Sequence, residues 1–461
     1  MMHAPAGLAP TISEELKQVL GERLSVSRYD LESHGVDESY HPAAPPDAVA
    51  FIDSTEEAAT VLKVCNGRGL PVIPFGTGTG VEGHTLAIHG GLSLDVSRLN
   101  RILEINPDDL DCRVQAGVTR MQLNRELEKH GLMFPVDPGA DASLGGMAAT
   151  GASGTTTVRY GTIRENVLGM TVALADGRVI KTGGRARKSS AGYDLTRLFI
   201  GSEGTLGVIT EVQLRVYPLP EAIASAVCGF ESVEGAATAV VEMLQSGVPV
   251  ARCELLDEDS VKAVNAYAKL DVPVRPTVFF EFHGTHKAVQ EQAEIAGGIV
   301  AEHGGSDFQW SPKREDREKL WDARHKAYFA TKAIRPGTRV WATDVAVPIS
   351  RLAECIQETR REIAAAGIMA PILGHIGDGN FHVLFILDEK QPEEITTAKR
   401  LNQNLLERAL AMGGTCTGEH GVGLGKIKAL REQHGEGVDV MRAIKDALDP
   451  KGIMNPGKIF G

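Results

Sequence analysis

The chain has 461 residues, too many for one ordinary core, so two or three domains are expected. Its composition is that of a globular protein, 43% hydrophobic and 23% charged, and its net charge of -12 argues against nucleic acid or an anionic lipid surface as a general partner. Six cysteines without a C-x-x-C pair argue against an iron–sulfur cluster or structural zinc, and no run of about 18 apolar residues is present to span a membrane.

Near the N-terminus, "SEELKQVLGERL" predicts a short amphipathic helix with Ser13 as its N-cap. No basic region followed by an apolar stretch precedes it, nor an Arg-rich, acid-poor leader. With the scattered, reduced-looking cysteines, this gives a cytoplasmic location, or a peripheral one at a membrane, as the expectation. "STEEAATVLKVCNGRG" predicts a second helix, with an early cap, glutamates in the first turn and a closing glycine. "LPVIPF" comes next as a strand, and short β runs and glycine loops continue to about residue 217. "YPLPE", residues 217–221, is a proline-marked break. Beyond it, helical patterns such as "ESVEGAATAVVEMLQSG" alternate with β runs such as "TVFFEFHG" and "FHVLFIL". That alternation predicts an α+β domain with helices packed on a sheet. A final helix, "GVDVMRAIKDALD", leads into the turn-rich "PKGIMNPGKIFG". The expected domains are therefore 1–220, 221–425 and a C-terminal segment, 426–461.

Glycine is abundant, 51 residues, and it clusters. "PFGTGTGVEG", residues 74–83, contains G-x-G-x-x-G after a strand, but the next residues, "HTLAIHGGLSLDVS", read as loop and strand. A Rossmann loop would open a helix there, and no lysine occupies the Walker position. The loop still has the chemistry for a diphosphate: glycines let backbone N–H groups approach anionic oxygens, and Thr77 and Thr79 add hydroxyl donors. A tight β turn is the alternative. "PVDPGADASLGGMAATGASG", residues 135–154, is built of side chains too small for a core and suits a flat ligand lying on backbone. "GSEGTLGVIT", residues 201–210, is similar. Three such stretches argue for one long dinucleotide threaded between them, against three unrelated turns.

In this order, these stretches resemble the flavoprotein superfamily of vanillyl-alcohol oxidase and p-cresol methylhydroxylase. The resemblance is closest to the FAD-dependent, cytochrome-type D-lactate dehydrogenase branch, and is carried also by "GHIGDGNFH", "GTCTGEHGVGLGK" and "DPKGIMNPGK". It implies an α+β protein: a two-subdomain FAD-binding domain, an α+β substrate (cap) domain with helices on an antiparallel sheet, and a C-terminal segment returning to the FAD domain. It implies non-covalent FAD, with Gly76, Thr77, Gly78, Thr79, Gly80 and Val81 at the pyrophosphate and Pro74 also among the FAD-binding residues. Pro138, Gly139, Asp141, Ala142, Ser143, Gly145, Gly146, Gly151, Ser153 and Gly154 line the rest, with Gly204, Gly207 and Ile209. Asn455 stands beside the flavin ring, His84 is read as a loop residue and Lys458 as a surface charge.

"GHIGDGNFH", residues 374–382, holds two histidines around a turn, and "GEHG", residues 418–421, adds a glutamate and a third histidine. Two neutral imidazoles and one carboxylate make a three-ligand set with open positions, suited to a divalent Zn or Mn ion. The expected metal ligands are His375, His382 and Glu419, with Asp378 as the competing carboxylate. A 2-hydroxy acid would bind the cation, His420 would take the hydroxyl proton, and the Cα hydrogen would leave as hydride to the flavin. The resemblance assigns the same positions and places Asn380 near the substrate. Arg324 matches the family's substrate arginine and would grip the carboxylate, whereas Arg335 and Arg339 read as surface charges. Related D-2-hydroxyglutarate dehydrogenases are expected to carry a lysine where this chain has Ala342, which favours D-lactate as substrate and pyruvate as product.

The close alternatives are a D-2-hydroxyglutarate dehydrogenase and the FAD subunit of a glycolate oxidase. From other classes come a metal-dependent hydrolase with His420 as base and a nucleotide-binding subunit without catalysis of its own. With no C-x-x-C motif, electrons would leave to an external acceptor: a cytochrome, a quinone or an electron-transfer flavoprotein. A homodimer is the assembly considered.

Overall fold

The computed structural model describes residues 7–461 apart from residue 270, and the side chains at 322, 323 and 325 also lie outside the description. The first residues read for a leader are among those outside it. The chain forms two units, one of Met1–Ser153, Gly161–Leu219 and Glu419–Gly461, the other of Gly154–Tyr160 and Pro220–Gly418.

The first unit holds two main sheets besides one short two-stranded pairing. In the smaller, strands Leu24–Ser25, Ala48–Phe51, Leu92–Asp95 and Val72–Phe75 lie side by side in that order, the last three parallel. Parallel strands need a crossover, and helix Thr55–Arg68 supplies one. Its ends obey the sequence signals: the Ser54 hydroxyl accepts the Glu57 N–H, and Gly69 closes it in the left-handed region at φ +65°. The larger sheet is antiparallel, with Ile102–Asn106, Asp111–Gln115, Val208–Arg215, Val167–Ala173 and Val179–Gly183 in order. One continuous core joins them, running from Val61, Leu62 and Leu94 to Val114, Val172 and Val212. The first helix, Pro10–Leu20, is capped at Ala9, so Ser13 lies inside the first turn; proline at the first helical position sets the start earlier than the expected cap.

The second unit is an antiparallel sheet with helices packed on it. Its strands run in the order Gly305–Ser311, Ala222–Phe230, Thr277–Gly284, Val250–Leu256, Ile372–His375, Asn380–Leu387 and Arg339–Ala342, with Val345–Ala346 also pairing on Asn380–Leu387. The chain is therefore an α+β protein of the expected two-part architecture.

The unit limits differ in detail from the expected 220/221 and 425/426. Tyr217–Pro218 is still a strand of the first unit, paired with Leu132–Met133. Residues 154–160 count with the second unit, where Arg159 donates to the carbonyls of Pro249 and His283. The return begins at Glu419, just after Thr417 and Gly418, which both donate to Asp344. After helix Gly437–Leu448, the Asp449 carboxylate accepts the N–H groups of Ile453 and Met454, and Met454 bridges to Val72. That docking fixes Asn455 beside strand Val72–Phe75, where its N–H donates to the Val72 carbonyl. Among the described residues no helix is long and apolar enough to cross a membrane.

Candidate active site

The three glycine stretches of the first unit converge on one open cleft. Strand Val72–Phe75 runs straight into the loop 76–81 that forms one wall. A Cβ on Gly76 would fall 2.4 Å from Ser143 Oγ, so the first two stretches touch. A Cβ on Gly204, at φ +71°, would fall 2.8 Å from Pro74, so the third touches the first. At Gly204 the positive φ and the rigid Pro74 ring together require glycine. Several buried polar atoms of the cleft residues have no hydrogen-bond partner: Ser143 Oγ, Thr85 Oγ1 and both ring nitrogens of His84. Buried polar groups are normally satisfied, so these orphans fit a ligand carrying donors and acceptors of its own.

The cleft residues include the expected 74 and 76–81, Pro138, Ala142, Ser143, Gly145, Gly146, Ser153, Gly204, Gly207, Ile209 and Asn455. Four expected residues do not line it. Asp141 accepts the Met121 N–H, Gly139 turns on the Asp137 carboxylate, and Gly151 ends helix Leu144–Thr150 at φ +72°. Gly154 counts with the second unit.

Three first-unit residues differ from their sequence reading or escaped it. His84 lies in a loop turn as expected, but it is buried there, because residues 203 and 421–423 close over it. Lys458 is 2% exposed, not a surface charge; its ammonium donates to the Leu86 carbonyl. Burial pulls its pKa down to about 8, against the opposing pull of Glu203 and Asp37. Glu203 went unread; its backbone sits at φ +53°, and its carboxylate accepts the N–H groups of Val422 at 2.6 Å and Gly423 at 2.8 Å. Glu419 and His420 also line this cleft. Ser153 Oγ donates to Glu419 Oε2 at 2.7 Å, and His420 Nε2 lies 4.0 Å from Glu419 Oε1.

In the second unit, His375 and His382 are set by one tight hairpin. His375 pairs with Asn380 and Leu373 with His382, so the period of two places both imidazoles on one sheet face. The turn, Ile376–Asp378, closes through Gly379 at φ +74°, where a Cβ would fall 2.0 Å from the Val347 carbonyl oxygen. Asp378 lies in this turn, as its Asp-Gly sequence suggests. The two rings meet edge to face, centroids 5.6 Å apart. Each Nδ1 meets an acceptor: Glu254 Oε1 at 2.6 Å for His375, the Thr343 carbonyl at 2.9 Å for His382. An acceptor at Nδ1 places the proton there and leaves Nε2 as the basic nitrogen of both rings.

Glu254 is fully buried on the neighbouring strand and also accepts Arg324 Nη2 at 2.6 Å. Burial raises its carboxyl pKa, but the facing His375 and Arg324 outweigh that and hold it below the ordinary value. The sole sequence signal for Glu254 was one carboxylate in the apolar strand "VARCELL". Arg324 is buried, with Nη2 committed to Glu254 and Nε without a hydrogen-bond partner. Asn380 gives its Nδ2 protons to Asp344 Oδ1 and the Val345 carbonyl, both at 2.7 Å, and its Oδ1 is buried without a partner. Ala342 pairs with Leu384 and packs against an apolar cluster containing Val340, Leu373 and Leu384. Arg335 and Arg339 pair with Glu394 and Glu389, away from this face.

Residues 219–459 match the model of the FAD linked oxidases, C-terminal domain, and residues 46–183 that of the FAD binding domain. The chain is 50% identical to "Probable D-lactate dehydrogenase, mitochondrial" of Danio rerio over 443 residues, 95% of this chain and 89% of that one. It is 34% identical to "Glycolate oxidase subunit GlcD" of Bacillus subtilis (strain 168) over 455 residues, 97% of this chain and 96% of that one. Among solved structures, p-cresol methylhydroxylase with substrate bound superposes with a TM-score of 0.80 at 18% identity, covering 99% of this chain and 98% of that one.

Proposed function

The chain belongs to the FAD-linked oxidases of the D-lactate dehydrogenase type, and from that premise we propose that it oxidises D-lactate to pyruvate with the help of a divalent cation and passes the electrons to an external acceptor. The observation that carries the metal part is the pair of imidazoles on one sheet face, each with Nδ1 on a fixed acceptor. This is the arrangement in which two histidines ligate through Nε2. His375, His382 and Glu419 are the ligands, and the donor set suits zinc or manganese. Glu419 directly follows Gly418, whose N–H is held by Asp344 in the strand connection beside His382.

Bound FAD supplies a two-electron acceptor, and the cation supplies a Lewis acid that lowers the pKa of the substrate hydroxyl. His420 takes the hydroxyl proton. Arg324 meets the substrate carboxylate, its orientation fixed by Glu254. Asn380 holds Asp344 in place and offers Oδ1 toward the substrate. Ala342, in apolar company, provides no cation for a second carboxylate, which favours lactate over hydroxyglutarate.

The electrons leave to a cytochrome, a quinone or an electron-transfer flavoprotein, since the chain has no cysteine pair to hold a second redox centre. All six cysteines are buried thiols, which fits a reducing compartment such as the cytoplasm. The test is anaerobic visible absorbance of the purified, metal-loaded holoprotein before and after D-lactate, with L-lactate, glycolate and D-2-hydroxyglutarate added separately. Bleaching of the flavin by D-lactate, and not by the others, is expected. Bleaching only by hydroxyglutarate or glycolate would overturn the substrate assignment, and bleaching by none would overturn the reaction.

A further inference from the structure

His84 has no task in the proposed oxidation. Its side chain is 7% exposed, it lines the cleft, and neither ring nitrogen has a hydrogen-bond partner. Glu203 Oε2 stands 3.5 Å from Nε2. Two glycines make room for the ring. A Cβ on Gly80 would fall 2.8 Å from Nδ1, and one on Gly421 would fall 2.8 Å from Nε2 and 2.7 Å from Glu203 Oε1. The Asn455 amide donates to the backbone carbonyls of both His84, at 3.0 Å, and Glu203, at 2.7 Å. Imidazole, carboxylate and clamp are thus one rigid assembly in the cleft wall, at the end where Asn455 enters.

Glu203 is built to remain an anion. Two backbone N–H groups point at its oxygens, and its strained backbone holds it there. Burial alone would strip the proton from His84, but the adjacent Glu203 carboxylate, helped by Glu82 and Asp37, outweighs burial and raises its pKa. Glu82 is itself paired with Lys426 at 3.0 Å, and of the three carboxylates Glu203 acts most strongly on this imidazole. A protonated ring donates from both nitrogens. Nε2 faces Glu203, and Nδ1 lies on the side of the glycine loop.

We propose that His84 is a cofactor-binding residue: the His84–Glu203 pair presents an imidazolium to FAD in this cleft and stabilises the negative charge FAD gains on accepting two electrons. The proposal rests on FAD occupying the cleft, and not on which 2-hydroxy acid is oxidised. A fixed positive charge in a water-poor wall acts strongly on a neighbouring anion.

The test uses the FAD-loaded full chain and no substrate. His84→Asn keeps a polar side chain and removes the charge; His84→Lys keeps the charge. FAD content is read from absorbance, the reduction equilibrium from an anaerobic dye-coupled titration, and sulfite affinity from flavin bleaching. His84→Asn is expected to retain FAD, to shift the reduction equilibrium at least tenfold toward the oxidised form (about 30 mV per tenfold for two electrons) and to weaken sulfite binding comparably. His84→Lys is expected to recover most of both. Parent-like values for His84→Asn with FAD fully bound would overturn the proposal. Loss of FAD from His84→Asn but not from His84→Lys would support it, and loss from both would overturn the assigned role of charge. Because the titration uses a dye, failure of D-lactate to reduce the parent protein would count against the substrate reading alone.

Discussion

Asn380 and Gly418 are packed so closely that a Cβ on Gly418 would fall 2.3 Å from Asn380 Nδ2. Both are anchored on Asp344, one on each carboxylate oxygen, at 2.7 and 2.8 Å. The residue after Gly418 is the proposed ligand Glu419. Gly418→Ala is therefore expected to displace the start of "GEHG" while leaving the glycine loops untouched. Metal content, read by elemental analysis, should fall at least tenfold with FAD content unchanged. Full metal retention would detach Glu419 from the ligand set.

Glu254 answers both His375 and Arg324 from a fully buried position. Glu254→Gln keeps an oxygen for one of them and removes the charge that serves both. Cation affinity should drop about 10–100-fold, as when a carboxylate behind a ligating histidine is lost. The variant should also lose several kcal/mol of stability, about 3–5, because Arg324 is left as a buried charge without its counter-ion. Competition with a chelating dye and denaturant unfolding measure the two effects. Unchanged affinity would mean that His375 does not ligate.

His382 and His420 separate by what each loss removes. His382→Ala should lose bound metal. His420→Ala should keep both metal and FAD and slow flavin reduction by D-lactate about 100- to 10,000-fold, the usual worth of a general base. Anaerobic stopped-flow absorbance reads the second; elemental analysis reads the first. If His420→Ala is reduced at the parent rate, the base lies elsewhere.

Local chemistry was legible in the chain. Ser54, Glu57 and Gly69 announce a helix and its ends, and the hairpin of "GHIGDGNFH" arises from its Asp-Gly turn and alternating strand. The three glycine stretches were readable as one surface from their runs of glycine, although Leu144, Met147 and Ala148 among them also enter the core. What escaped was set by distant segments. Nothing near His84 says that residues 203 and 421–423 will cover it, and nothing near Lys458 says that its ammonium will meet the Leu86 carbonyl. Glu254 looks like a stray acid in an apolar strand until Arg324 and His375 arrive from 70 and 121 positions away. Buried charge pairs are closed by tertiary structure, and their partners carry no shared local pattern.

Asp257 provides a pH test confined to the second unit. It caps helix Glu258–Ala268 by accepting the Ser260 N–H at 2.8 Å, and its own N–H donates to the Ile372 carbonyl on the strand leading to His375. Burial lifts its carboxyl pKa to about 6, only partly offset by the Ser260 hydrogen bonds and Arg360. A folded-state pKa above the unfolded one means that this group's contribution is fully present below about pH 4 and is lost as pH rises through about 6. At pH 8 the buried anion then costs the fold up to about 3 kcal/mol, from a shift of roughly two units. Asparagine caps helices as well as aspartate and carries no charge. Asp257→Asn should therefore be more stable than the parent at pH 8 by about 2 kcal/mol, with the advantage vanishing near pH 4. All three tryptophans, Trp310, Trp321 and Trp341, lie in the second unit, so urea unfolding followed by tryptophan fluorescence reports on this unit directly. An advantage that is the same at both pH values would show that the Asp257 carboxyl is not buried as an anion at neutral pH.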